Sequence, residues 1–387
     1  MRLKTISNLH FLKNKRVLLR VDLNVTLKSG KFEPSDVWKL KSILPTIKYL
    51  RRHGAKIILL SSRGRPHGFD HDWSLAPVVA KLSSMLGVSI PLWTYDFSQC
   101  ERRAHALKAG EIVCLENLRF HHAEEENDAH FAKQLSRIGQ LYVDDAFANI
   151  HRRHASMAAI TRYLPSYAGF LVAYEVEHLH NILKTKRHPV VAVIGGNKIS
   201  TKMSLIKKLL REVDAVLLGG ALANNVLAAM DYKVGRSMVE GEMISWSKGI
   251  LSNKLKVPVD AVVASSPSAK KSHISAIGSV KKNEMILDIG PDTVALYAAI
   301  IKKAKIIIWN GPLGYFEEKQ FSKGTTDIVK ALAGSRGHAY VGGGETVKAI
   351  LQEGAEDSMY FISTGGGAML SFLENKPMPA LNALVKK

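Results

Sequence analysis

The chain has 387 residues, 46% of them hydrophobic, too many for one comfortable core and enough for two domains of ordinary size. Lys and Arg number 54 against 34 Asp and Glu, giving a formal charge of +20 that favours anionic partners of any kind; because the basic residues are spread along the chain and no zinc-finger or RRM signature accompanies them, a nucleic-acid role is disfavoured. Cys100 and Cys114 lie outside any CxxC arrangement and read as free thiols of a reducing cytosol, the N-terminus lacks a signal-peptide core, and no apolar run is long enough to span a bilayer, so a cytoplasmic protein without a membrane partner is expected.

Short runs rich in Val, Ile and Leu alternate with amphipathic stretches of helical period, which is the pattern of βαβ units. Predicted strands in chain order are 16–21, 56–62, 111–116, 140–145, 190–196, 215–220, 260–265, 305–311, 338–344 and 359–367. Helical patterns follow several of them, as in ALANNVLAAM after Gly220 and ETVKAILQEG after Gly344. The fold class is therefore α/β, doubly wound, with mostly parallel sheets. Residues 166–189 read as one long helix ended by a basic loop and Pro189. That helix divides the strands into two groups, an N-terminal domain over 1–165 and a C-terminal domain over 188–364, with 166–187 as connector and 365–387 as a closing segment.

Ligands of open parallel sheets bind beyond the C-terminal ends of the strands. In the first half those positions hold DLN (22–24), RGRP (63–66), ENLRFHH (116–122) and NIHRRH (149–154), rich in the Arg and His that suit a compact polyanion. In the second half they hold GGNKIS (195–200), GGALANN (219–225), NGPLG (310–314), GGGET (342–346) and STGGG (363–367), where glycines permit close backbone approach and following helices offer N–H groups to phosphate. One anion half and one nucleotide half make a transferase layout. GxxxxGK[ST] is absent, as is GxGxxG with an acidic residue at dinucleotide spacing, which excludes a P-loop enzyme and disfavours a dehydrogenase. His151 and His154 lack a third ligand at metal spacing, so an anion contact is expected of His151. Glu124, Glu125 and Glu126 read as a solvated helix start with no functional part.

Taken together, RVDLNV (20–25), ILPTIKYL (43–50), GRP (64–66), LENLRFH (115–121), DDAFANIHRRHAS (144–156), GGNKIS (195–200), DIGP (288–291), WNGPLGYFE (309–317), GGGET (342–346) and STGGGAML (363–370) resemble the phosphoglycerate kinase family, in family order from end to end. The resemblance implies two Rossmann-like domains joined by a hinge helix. The N-terminal domain would hold 3-phosphoglycerate or 1,3-bisphosphoglycerate and the C-terminal domain ADP or ATP with Mg²⁺, in a cytoplasmic, glycolytic, monomeric phosphotransferase with a carboxyl acceptor. It implies glycerate contacts from Asp22, Asn24, Ser62, Arg65, Arg119, His151 and Arg152. Nucleotide contacts fall on Lys198, Lys202, Gly219, Gly220, Asn310, Pro312, Glu317, Gly342, Gly343, Gly344, Glu345 and Thr346, and the transferring group on Lys39, Lys198, Gly344 and Gly367. Mg²⁺ would be held mainly by nucleotide phosphates, with Glu345 beside it. The last residues, Asn375 to Lys387, would fold back on the N-terminal domain.

The chain departs from the family pattern at Lys39, at Ser62 and Arg63 and at Glu345, and more mildly at Asn197, Thr201 and Ser265. Lys39 replaces an arginine and loses its planar fork, so a lower rate is expected. Ser62 stands for a histidine, with Arg63 beside it expected to restore part of the anion binding, and Glu345 replaces an aspartate near the metal-bound nucleotide. The competing readings are a divergent paralogue with weak or altered kinase activity and a polyanion- or nucleic-acid-binding protein on the same scaffold.

Overall fold

A computed structural model describes residues 2–9, 11–27, 29–94 and 97–386. The chain forms two compact units, one of Met1–Asn181 with Asn375–Lys387, the other of Ile182–Glu374.

Unit 1 is built on β1 (Arg16–Arg20), β2 (Lys56–Leu60), β3 (Leu92–Trp93), β4 (Ile112–Leu115), β5 (Leu141–Asp144) and β6 (Ser166–Ala168). They form one parallel sheet in the order β3-β4-β2-β1-β5-β6. Helices cover both faces, so successive strand residues are buried in opposite directions: Val17, Leu19, Ile57 and Leu59 enter one core, and Leu18, Ile58, Leu60 and Val113 the other. This is why these strands read as unbroken apolar runs. The C-terminal segment belongs to this unit: Lys4 N–H donates to Leu384 O (2.8 Å) and Lys386 N–H to Arg2 O (2.8 Å). Lys387, the end of the expected closing segment, lies outside the described residues.

Unit 2 contains β7 (Val190–Ile194), β8 (Ala215–Leu218), β9 (Leu255–Lys256), β10 (Asp260–Ala264), β11 (His273–Ala276), β12 (Met285–Ile289), β13 (Ile306–Asn310), β14 (His338–Gly342) and β15 (Phe361–Ile362). Six of these make a parallel sheet, β15-β14-β13-β7-β8-β9, and three an antiparallel one, β11-β10-β12. The predicted strand at 260–265 therefore sits in the antiparallel sheet. Its partner β11 is mostly exposed and has no apolar run to announce it.

The helix expected from 166 begins later. Residues 166–168 instead pair with β5 as β6, and the helix runs Phe170–Leu183. Asp145 fixes that start, its Oδ1 accepting the Leu171 (2.8 Å) and Val172 (3.2 Å) N–H groups. The closing segment expected from 365 also starts later, because the helix Gly366–Leu373 belongs to unit 2 and the division falls at Asn375. In each parallel sheet the chain order reverses beside a central strand, β1 between β2 and β5 and β7 between β13 and β8, which opens a crevice at the C-terminal edge.

Candidate functional site

At the C-terminal edge of unit 1, the loops after β1, β2 and β4 are tied by side-chain amides. Asn24 Oδ1 accepts the Gly64 N–H (2.9 Å). Asn117 accepts the N–H groups of Arg63 (3.0 Å) and Arg119 (3.1 Å) and donates to Arg63 O (2.7 Å) and Trp73 O (2.9 Å). Lys39, on the helix Pro34–Ser42, donates to Asn24 O (3.2 Å) and lies 3.4 Å from Asp22 Oδ2. Asp22, Asn24 and Lys39 thus form one cluster. Arg119 is buried, donates to Gly64 O (2.6 Å) and pairs with Glu125 (3.1 Å); Arg65 is exposed on the same loop system. His151 and Arg152 are half-buried, and among the described residues His151 Nδ1 has no hydrogen-bond partner.

Cations crowd one another at this edge, although Asp22 and Glu125 stand among them. Burial lowers the pKa of Arg119, and Arg152 lowers it further. His151 is lowered by burial and by Arg152. His154 is pushed down to about 3 by burial, then by Arg20, Arg119 and Arg152. Cations that depress one another's protonation in this way mark a place where an anion is stabilised.

Two residues behave otherwise than expected. Ser62 is buried and its hydroxyl accepts from Arg20 Nη2 (3.0 Å), so it supports the strand end and does not face a ligand. Arg63 donates to the carbonyls of Val25 (3.0 Å), Asp72 (2.8 Å) and Ser74 (2.9 Å) and lies over Trp73, which uses its guanidinium to pin loops rather than to bind an anion. The acidic run is not simply solvated: Glu124 is fully buried and accepts from Ser156 N–H (2.9 Å) and Oγ (2.6 Å), and Glu125 holds Arg119. Fully buried Arg20, which donates to Ser62 and Ser156, was not singled out from sequence. It opens the RVDLNV string, so a signal for it was present. Asn117 could have been found, since it lies inside the LENLRFH string.

At the C-terminal edge of unit 2, the backbone of four loops converges. Gly195 N–H donates to Asn310 O (3.0 Å), Gly196 N–H to Pro312 O (3.1 Å) and Gly220 N–H to Leu313 O (2.8 Å). Gly220 has φ +65°, and a Cβ there would lie 2.8 Å from Gly196 N, so no other residue fits. Lys202 donates to Gly195 O (2.7 Å), Asn310 O (3.2 Å) and Asn310 Oδ1 (2.7 Å), and burial lowers its pKa to about 8. Asn310 Nδ2 donates to Gly342 O (2.8 Å), and Thr346 Oγ1 accepts the Gly311 N–H (2.8 Å). Gly343, at φ +105°, opens the helix Gly344–Gln352, and Gly365 the helix Gly366–Leu373. Their first-turn N–H groups have no acceptor within the helix.

Lys202, Asn310, Gly342, Gly343 and Thr346 are thereby brought together. Lys198, Glu317, Gly344, Glu345 and Gly367 are exposed, and Gly219, next to Gly220, is buried. Next to Gly220 opens a cavity of about 140 Å³ lined by Asn224, Met238, Leu287, Asp288 and Leu313. It is apolar, as a flat heteroaromatic ring requires. Asn224 Oδ1 is buried there without a hydrogen-bond partner among the described residues, while its Nδ2 donates to Met238 O (3.2 Å). Asn224 lies in the GGALANN string and Asp288 in DIGP, so the signal for both was present in the sequence. Among the described residues no group of three or more His, Cys, Asp or Glu could hold a metal, and Glu345 lies in the first turn of the helix Gly344–Gln352.

The phosphoglycerate kinase family model matches residues 6–376. The phosphoglycerate kinase of Moorella thermoacetica is 42% identical over 97% of this chain and 98% of its own length, and that of Roseiflexus sp. 41% identical over 98% of both. Among solved structures, phosphoglycerate kinase from Coxiella burnetii superposes with a TM-score of 0.86 at 38% identity, covering 99% of this chain and 100% of the other. The Pyrococcus horikoshii enzyme gives 0.88 at 33% identity, covering 99% and 98%. This chain belongs to the phosphoglycerate kinase family.

Proposed function

We propose that the chain catalyses the reversible, Mg²⁺-dependent transfer of a phosphoryl group between the acyl phosphate of 1,3-bisphosphoglycerate and ADP, giving 3-phosphoglycerate and ATP, a step of glycolysis and gluconeogenesis. The observation that carries this reading is the convergence at the strand ends of unit 1, where Asn24 and Arg119 both bond Gly64 and Lys39 bonds Asn24 O, in a chain of this family. Arg65, Arg119, His151 and Arg152 would bind the glycerate phosphate and carboxylate, and Asp22 and Asn24 its hydroxyl. Lys39 would meet the transferring group.

In unit 2 the apolar cavity would take adenine, Glu317 the ribose, and Lys198, Lys202 and the glycine-opened helices the phosphates. Mg²⁺, when bound, would neutralise charge on the nucleotide phosphates. The protein's own part is positioning and charge stabilisation, because the attacking carboxylate is already ionised and needs no base. Cys100 and Cys114, both buried free thiols, are consistent with a cytoplasmic enzyme, and we take it to act as a monomer, which light scattering at one chain's mass would test.

A coupled assay of ADP formation from MgATP and 3-phosphoglycerate tests the function. Turnover that depends on 3-phosphoglycerate supports it, and nucleotide binding without such turnover refutes it. Lys39→Ala should lower turnover by about a hundredfold or more, the usual cost of removing a charge that meets a phosphoryl transition state.

A further inference from the structure

The basic residues look dispersed in sequence, but the fold gathers six of them at one edge of unit 1. In a right-handed parallel α/β unit every strand start and every preceding helix end lies at the same edge of the sheet. In unit 1 the loops entering β1, β2 and β4 are bonded side by side there, with Asn14 N–H donating to Gly54 O (2.8 Å), Lys56 N–H to Lys15 O (2.9 Å) and Gly110 N–H to Ala55 O (3.0 Å). Lys13, Lys15, Arg51, Arg52, Arg103 and Lys108 are exposed at this edge, and none of them forms an ion pair among the described residues. Arg51 and Arg52 have a local reason to be basic, since they end the helix Leu44–Arg52 and complement its dipole. Lys13, Lys15 and Lys108 sit in loops, where that reason does not apply. Glu111 is the acidic side chain bonded into this edge, its carboxylate accepting the Lys108 N–H (2.8 Å).

Two further features lie on the same edge. A cavity of about 380 Å³ opens there, lined by Arg51, Pro91, Trp93, Leu107, Glu111 and Ile112, with the Arg103 guanidinium 5.9 Å over the Trp93 ring. Phe11, in the loop leading into β1, is 85% exposed.

We propose that this edge, at the opposite end of the strands from the candidate glycerate site, binds single-stranded nucleic acid. Unpaired cations would follow the phosphates, with Phe11 as a stacking surface and the Arg51-lined cavity as the seat for a base. A membrane fits the edge less well. Interfacial binding needs an extended apolar face beside the charges, and here a single exposed aromatic stands beside a concave cavity.

The test uses the full chain and a fluorescein-labelled uridine oligomer of about 20 nucleotides, read by anisotropy. Binding at about 50 mM salt should weaken tenfold or more by about 200 mM. The triple variant Arg51→Glu, Arg52→Glu, Lys108→Glu should lose about tenfold or more in affinity at low salt, while Lys270→Glu, Lys271→Glu, Lys302→Glu, an equal change of net charge in unit 2, stays within about twofold of wild type. Retained phosphotransfer by the first triple reports that it folds; the glutamine versions of the same three positions serve if it does not. Phe11→Ala should weaken binding about threefold or more. Saturating 3-phosphoglycerate should not displace the oligomer. Absence of binding at low salt, equal losses in the two triples, or displacement by 3-phosphoglycerate would each overturn the assignment. So would tighter binding to phosphatidylserine vesicles than to the oligomer, abolished by the same triple.

Discussion

Arg119 is almost wholly buried and its Nε lies 3.1 Å from Glu125, a half-exposed carboxylate, so an acidic group stands directly beside the proposed anion site. Exposure limits the strength of that pair to about 1 kcal/mol or less. Removing the charge frees the guanidinium for substrate and removes repulsion of the phosphate. Glu125→Gln is therefore expected to lower the KM for 3-phosphoglycerate by about threefold with kcat unchanged, as the same energy range allows; a rise in KM would mean that the glutamate orients Arg119 rather than competing for it. Lys202 makes a second residue-scale prediction. Burial lowers its pKa to about 8, so in the free enzyme it loses its proton as pH rises through that value and with it the charge that would attract nucleotide phosphate. kcat/KM for MgATP should fall above about pH 8, since that parameter follows ionisations of the free enzyme. A profile flat to pH 9.5 or so would show that Lys202 keeps its proton or is not used.

Asp288, next to last in β12, is a buried carboxyl that accepts the Ile289 N–H (2.9 Å) through Oδ1 and the Gly324 N–H (2.7 Å) through Oδ2, tying that strand to the first turn of the helix Lys323–Ala333. Burial raises its pKa from 3.8 to about 8. Between those values the folded chain keeps a proton that the unfolded chain has released, so this group's contribution to stability falls as pH rises from about 4 to about 8. Asn at this position does not titrate, and its amide would oppose one of the two N–H donors. Asp288→Asn should cost about 1–3 kcal/mol near pH 5, and the deficit should shrink toward pH 8, measured by urea unfolding. A deficit independent of pH would show that Asp288 ionises normally. Elements of this kind also show what the sequence could convey. β1, β2, β7 and β13 were readable because both faces are buried and the apolar run is continuous. β3, β9 and β15 are two residues long and β11 is mostly exposed, so neither composition nor period marks three of these four, and β15 was overextended to 359–367. The strand-end strings exposed the candidate site because each loop carries its own signature; the linkage of Arg20 to Ser62, or of Arg63 to Val25, joins residues far apart in sequence and left no local trace.

For the whole molecule the dominant physical fact is the charge of +20, which sets up a positive field over a chain whose proposed substrates are small polyanions. Such a field raises encounter rates, and salt shortens its reach to about 8 Å at physiological ionic strength, whereas contacts inside a partly buried pocket are screened much less. The two contributions separate experimentally, since steering acts on capture and the pocket acts on the bound state. kcat/KM for 3-phosphoglycerate should therefore fall by about threefold or more as potassium chloride rises from about 20 to about 150 mM, while kcat at saturating substrate changes little. Viscosity-matched controls would separate this from slowed diffusion. If kcat/KM holds constant over that range, the positive field does not serve substrate capture.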